Sequence, residues 1–290
     1  MTTAMDLTIG LGTQEYRVNL NNPLSLTIAL EFQTNNSAVR QPNHFTANLA
    51  ASKPMQAGGF IGDTEQGGSC NVNELTINPH CNGTHTETIA HICDLNHELS
   101  STIADLNISP LMPCVLVSIE PLSANQTNES YTPALVTDDQ LITRVALEIA
   151  LQKYSNEQLQ AVVIRTLPNN ADKCVQAYNQ NNQPPFFTRD AIHYLNKRGV
   201  EHLIVDIPSI DRLHDEGLLT CHHLFWQVEA GKHQADSNSL VNKTITEMAF
   251  IDNKINDGFY FVNLQTPAFI NDAAPSRPVL YCCEKITSTQ

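Results

Sequence analysis

The stretch His80-Cys81-Asn82-Gly83-Thr84-His85-Thr86-Glu87-Thr88-Ile89-Ala90-His91 sets three imidazoles and one carboxylate within twelve residues of a chain with 11 His. Neutral imidazoles with a carboxylate are the donor set of a divalent metal that keeps open coordination positions. His85 and Glu87 are two apart, so in an extended segment both side chains face the same way. Glu87 and His91 are four apart, which puts them on one face of a helix. His80 and His85 are five apart and suit neither regular structure; the turn residues Asn82-Gly83 let them converge. The spacing predicts a strand end, a glycine turn and a helix start directed at one point. The competing reading, a polar loop whose histidines cap helix ends, is disfavoured by four such groups together.

Outward from this stretch, short apolar runs alternate with amphipathic segments. Strands are expected at Leu24–Phe32, Cys114–Ile119, Ala161–Thr166, His202–Ile207, Phe259–Leu264 and Val279–Cys283, all rich in branched and aromatic residues. Thr137-Asp138-Asp139-Gln140 reads as a capping box ahead of a helix carrying Leu141, Ile142, Val145 and Ile149. Thr188 caps a second helix with Ala191, Ile192 and Leu195, closed by Gly199. Two helices amid many strands predict a mixed α/β fold in which sheet dominates. The polar connectors Ser123–Thr137, Asn169–Pro185 and Glu229–Thr244 do not demand a boundary, so one domain over 1–290 is expected.

The formal charge is −14, from 16 Lys+Arg against 30 Asp+Glu. Such a chain repels polyanions, and it has no basic run to make a local nucleic-acid patch. No apolar run reaches the roughly 18 residues of a membrane span. The start, Met1 to Asp6, shows no basic and apolar leader. With that start, eight cysteines lacking any C-x-x-C pair point to reduced thiols in a cytoplasm. Cys81, inside the His stretch, is a soft donor beside four better ones.

The stretch from His80 to His91 resembles the cyclase family of metal-dependent hydrolases, which includes bacterial kynurenine formamidases and whose hallmark reads H-x-G-T-H-x-D-x-P-x-H. The Gly83-Thr84-His85 core, the acid two residues on and His91 four beyond it match in register. Three positions depart: one extra residue separates His80 from Gly83, Glu87 stands where the family has Asp, and Ile89 replaces a proline. The likeness continues through Gly199-Val200 to Asp206-Ile207-Pro208-Ser209-Ile210-Asp211, then to His222-His223-Leu224-Phe225-Trp226 and Thr244-Ile245-Thr246-Glu247-Met248, with a longer loop at about 229–244.

The resemblance implies a sheet-rich domain of the swivelling β/β/α type and a homodimer or larger assembly. It implies Glu87 bridging two divalent ions, His80 and His85 on one, and Glu247 with His222 or its rival His223 on the other. Zinc is the first expectation and manganese the alternative. It also implies hydrolysis of C–N bonds other than peptide bonds, in an arylformamide such as N-formylkynurenine or a related small carbonyl compound, with a hydroxide held at the metal attacking and His91 moving the proton. The alternatives are dehydration or cyclic-amide opening on the same metals, or a metal- or ligand-binding protein without turnover.

Other residues read as structural. Asp206 and Asp211 are acidic caps that hold their loop and orient histidines. Arg165 takes either a substrate carboxylate or an ion pair. Phe186, Phe187, Phe225 and Trp226 form either an aromatic-substrate wall or core. His44, His97, His193, His202, His214 and His233 are scattered hydrogen-bonding or surface groups, and Ser209 lacks the G-x-S-x-G context of a nucleophile.

Overall fold

The most apolar segments build the centre of one large sheet. Met112–Ile119, Ala161–Thr166, His202–Val205 and Thr244–Glu247 lie side by side in parallel, and fully buried parallel strands read as near-continuous hydrophobic runs. The sheet has eleven strands in the computed structural model, which describes residues 5–34 and 39–287. Beyond Met112–Ile119 the antiparallel strands Gly258–Asn263, Val279–Ile286, Gln14–Asn19 and Asp6–Leu11 follow in order, with Leu24–Ser25 also on Val279–Ile286. Beyond Thr244–Glu247 come His85–Glu87 and the edge strand Ala273–Pro275, both antiparallel.

Alternation along each strand feeds two cores. Val115, Val117, Val162, Ile164, Leu203 and Val205 point to the face covered by three helices: α2 (Arg144–Leu151), α3 (Arg189–Lys197) and α4 (Thr220–Trp226). A one-turn helix, α1 (Pro79–Asn82), precedes the His85–Glu87 strand. Cys114, Leu116, Ala161, Val163 and Ile204 point the other way, to Leu26, Ile251, Val262 and Leu280. Trp226, Phe225, Phe186 and Phe187 are buried in the core; removing such a ring costs about 3–5 kcal/mol.

Three expectations change. The helix after residue 137 starts later. Gln140–Ile142 is a strand between Leu122–Ser123 and Phe186–Phe187, and the cap is Thr143, whose hydroxyl accepts from the Ala146 amide. Leu147 and Leu151 are therefore the buried positions, while Val145 and Ile149 are exposed. Leu24–Phe32 is strand only at Leu24–Ser25, because its next amides are taken elsewhere: Leu26 donates to the Pro278 carbonyl and Ile28 to Thr84 Oγ1. The strand at His202 ends at Val205, where Asp206 turns its carboxylate back onto Thr166. The second helix matches its reading: Thr188 accepts from the Ala191 amide, and Gly199 takes the left-handed φ of 76°.

Candidate metal centre

Sheet register brings the distant donors together. In the His85–Glu87 strand His85 pairs directly with Glu247, and Glu87 with Ile245, across the antiparallel ladder. Paired residues share a face, so His85, Glu87 and Glu247 project to one side. Thr86 projects to the other, where its hydroxyl meets that of Thr246 at 2.7 Å. The two glutamates and His85 are all buried.

His80 sits on α1, the one-turn helix directly before Gly83. Pro79 opens that turn, Asn78 Oδ1 accepts from the His80 amide at 3.1 Å, and Asn82 Oδ1 accepts from the Asn78 amide at 2.8 Å. The turn aims His80 at the strand, with Nδ1 3.2 Å from Glu87 Oε2. His91 follows on a short 3-10 turn capped by Thr88 and puts Nε2 3.8 Å from the same oxygen.

His222, on α4, closes the other side. Its Nδ1 is 2.6 Å from Asp211 Oδ2, its Nε2 is 2.9 Å from Glu87 Oε1, and Glu247 Oε1 lies at 3.7 Å from Nε2. Asp211 also accepts from the Cys221 and His222 amides and from the Tyr131 hydroxyl. It therefore fixes both the start of α4 and the ring it carries, which is the orienting role expected of it. His223 is not brought to the cluster. Its Nδ1 faces the Val228 carbonyl at 3.3 Å instead, since adjacent helical residues diverge by about 100°.

Sequence reading missed Asp272. One of its oxygens lies 2.8 Å from His80 Nε2 and 3.3 Å from His91 Nδ1. It sits just before the edge strand Ala273–Pro275 that pairs with His85–Glu87. The only trace in the sequence is an acid next to a short strand, which is too common to single out. Arg165 is also settled: Nη2 bonds Asp257 at 2.8 Å, and its other nitrogens bond Ser118 and the Asp252 and Ile255 carbonyls.

The electrostatics of the cluster favour positive charge. Burial alone would lower the His80 pKa, but hydrogen bonds to Asp272 and Glu87 outweigh it and raise it to about 10. Burial likewise opposes charge on His222, yet Glu87 and Asp211 raise it well above the usual imidazole range. Burial pushes Glu87 up, and the His91 and His222 charges more than reverse this and hold it well below the carboxylate range. The carboxylates thus draw positive charge into a buried volume.

Two ligand atoms there make no well-formed hydrogen bond among the described residues: His85 Nε2, which faces Glu247 Oε2 at 3.5 Å, and Glu87 Oε2, which lies between His80 Nδ1 at 3.2 Å and His91 Nε2 at 3.8 Å. His85 Nδ1 lies 2.9 Å from the Gly83 carbonyl, which can only accept, so Nδ1 donates there and the Nε2 lone pair faces Glu247 Oε2 at 3.5 Å. A buried lone pair without a donor is costly unless a cation meets it. Three overlapping sets bring their ligand atoms within 4.8 Å of one another: His80, His85 and Glu87; Glu87, His91 and His222; and His80, His91 and Asp272. These residues fit one or two divalent ions, with Glu87 common to two of the sets.

The model of the Cyclase family matches residues 5–212, well over half of the chain. A kynurenine formamidase from Bacillus cytotoxicus is 27% identical over 163 residues, covering 56% of this chain and 63% of that protein, so the match spans less than two thirds of the relative's length. An isatin hydrolase solved with the product analogue thioisatinate has a TM-score of 0.60 at 14% identity, covering 91% of this chain and 93% of its own. A chain from Bacillus stearothermophilus described as a predicted metal-dependent hydrolase has a TM-score of 0.54 at 15% identity, covering 90% of this chain and 98% of its own. At these identities the structural likeness establishes the fold: sheet-dominated, mixed α/β, as expected.

Proposed function

The chain belongs to the Cyclase family, and from that premise we propose that it is a metal-dependent hydrolase. Its reaction adds water across the C–N bond of a small amide, an arylformamide such as N-formylkynurenine in the most concrete form. The observation that carries the reading is the convergence of buried imidazole nitrogens and carboxylate oxygens within 4.8 Å of one another, among them His85 Nε2 and Glu87 Oε2, which make no well-formed hydrogen bond with the described residues. His80, His85, Glu87, His222 and Glu247 would hold the metal, zinc first and manganese second, with room for two ions around Glu87. When bound, the cation supplies Lewis acidity to a carbonyl oxygen and to a water.

The remaining steps belong to the protein. Asp211 keeps Nδ1 of His222 occupied and so fixes which nitrogen faces Glu87. Asp272 does the same for His91, holding Nδ1 and leaving Nε2 turned to the cluster. His91 is a quarter exposed, so substrate can reach it. As water adds to the carbonyl carbon and the C–N bond breaks, His91 takes the proton that the water gives up and passes it to the leaving nitrogen. The eight free cysteines suit a reducing compartment. We accordingly read a cytoplasmic protein acting as one domain over 1–290, and the resemblance adds a homodimer or larger.

Cyclic-amide opening is the second reading, supported by the same donor set and by the substrate in the name of the isatin hydrolase. Metal analysis of the purified protein, followed by assays with N-formylkynurenine, formanilide and isatin, tests both. We expect bound zinc or manganese, turnover of at least one amide, and loss of turnover with retained metal in His91→Ala. Full metal with no turnover on any of the three makes the chain a metal-binding protein, and failure to take up metal removes both enzymatic readings.

A further inference from the structure

Beside the metal centre stands a buried imidazole that the mechanism does not use. His44 is 3% exposed, and among the described residues neither of its ring nitrogens meets a donor or acceptor of the protein. Backbone contacts fix its place. The His44 amide donates to the Cys81 carbonyl at 3.0 Å, next to His80, and the Tyr178 amide donates to the Asn43 carbonyl at 2.8 Å. Asn82 Nδ2 reaches the Asn48 carbonyl at 2.9 Å, tying the far end of the same loop to α1.

The loop is strained where it passes His44. Phe45 and Thr46 are both left-handed, with φ of 53° and 52°, a region that bulky and β-branched residues avoid. Such strain persists where the surroundings impose it and gathers at ligand sites. The conformation lays the Phe45 ring over the His44 ring, with centroids 3.9 Å apart, and leaves Phe45 56% exposed. Burial, and then the nearby imidazoles of His85, His80 and His214, lower the His44 pKa to about 3. The ring is therefore neutral, with one N–H donor and one lone pair.

His202 supplies the contrast. It is as deeply buried and equally neutral, yet its Nδ1 has a partner in Thr244 Oγ1 at 2.8 Å. Structural histidines in a core find such partners. His44 keeps both nitrogens unpaired, within electrostatic reach of His85, His80 and His214.

We propose that His44 is the ligand-recognition residue of this centre: it hydrogen-bonds the amide of an aryl amide held beside the metal cluster, while Phe45 covers the ring. A neutral imidazole matches an amide because each offers one donor and one acceptor. This rests on the hydrolase reading for its ligand class, and its test separates the two.

The zinc-loaded protein is titrated with acetanilide by calorimetry and assayed with formanilide, as wild type, His44→Phe, His44→Gln and Phe45→Ala. In His44→Phe we expect unchanged zinc content, a Tm higher by about 2 °C because an unpaired buried polar group is gone, and acetanilide affinity down about tenfold. The KM for formanilide should rise by a similar factor while kcat moves less. His44→Gln, which keeps a donor and an acceptor, should stay within about threefold of wild type, and Phe45→Ala should weaken binding with zinc content unchanged. Acetanilide binding that depends on His44 in a protein that hydrolyses nothing upholds the recognition role and sinks the hydrolase reading. Formanilide turnover with the same KM in His44→Phe does the reverse. Loss of zinc or a lowered Tm in His44→Phe, or no acetanilide binding by the wild type, overturns the proposal.

Discussion

Asp206 and Glu247 both lie at the carboxyl end of the parallel strands, one just past Val205 and the other closing Thr244–Glu247, and both are buried. Around Asp206 every charge is closed by the protein. Its oxygens accept from the Thr166 amide and hydroxyl and from Lys173 Nζ at 2.7 Å, and nearby Arg165 is satisfied by one carboxylate, one hydroxyl and two carbonyls. Around Glu87 and His85 the count does not close: imidazoles and carboxylates stand within ligand distance, and His85 Nε2 and Glu87 Oε2 make no well-formed hydrogen bond with the described residues. Buried charge that serves only the fold binds itself, whereas buried charge that serves an exchangeable cation leaves lone pairs converging on a point.

The sharpest way to break that contrast is Glu87→Gln, which takes away the carboxylate shared by two of the ligand sets. We expect metal affinity to fall by more than about 100-fold, beyond the range for outer-shell changes, and turnover to vanish with it; equilibrium dialysis with zinc measures the first. His91→Ala is next. Metal content should hold while kcat drops about 10²–10⁴-fold, the worth of a positioned proton donor.

On the closed side, Asp206→Asn removes the buried carboxylate that pairs with the partly exposed Lys173 ammonium and leaves that ammonium only the Thr166 carbonyl and hydroxyl. Unfolding in urea should show a loss of about 3 kcal/mol, with metal content unchanged; a loss of metal instead would merge the two regions into one. Burial lowers the His202 pKa to about 4. Below the unfolded value of 6.5 the unfolded chain takes up a proton that the folded chain refuses, so stability falls from pH 6.5 down to about 4. Melts across that window should show His202→Gln less acid-sensitive than wild type, by about 2–3 kcal/mol at the low end.

What the sequence made legible follows from how local each signal was. Ala161–Thr166 is buried along its whole length, so its composition alone marks it as a central strand. The capping box at Thr137 places the helix at Arg144 six residues too early, because Leu141 and Ile142 belong to a different sheet and only mimic its apolar stripe. In the centre, His80, His85, Glu87 and His91 were visible as neighbours, and His222 and Glu247 through the resemblance. The choice between His222 and His223 needed the rotation of α4, set by Asp211. Asp272 and His44 arrive through tertiary contacts, an edge strand and a loop from the other end of the chain, and neither leaves a pattern in the residues around it.

The three-residue strand carrying His85 and Glu87 is held along both edges, by Thr244–Glu247 and by Ala273–Pro275. That double clamp divides the segment into a part that tolerates changes of length and a part that does not. Upstream of Gly83 an added residue would fall in α1, at little cost to the donors. Between Thr84 and Glu87 it would invert the parity of the ladder and swing one donor onto the Thr86 side. Insertions in evolving relatives should therefore gather before that glycine and stop there.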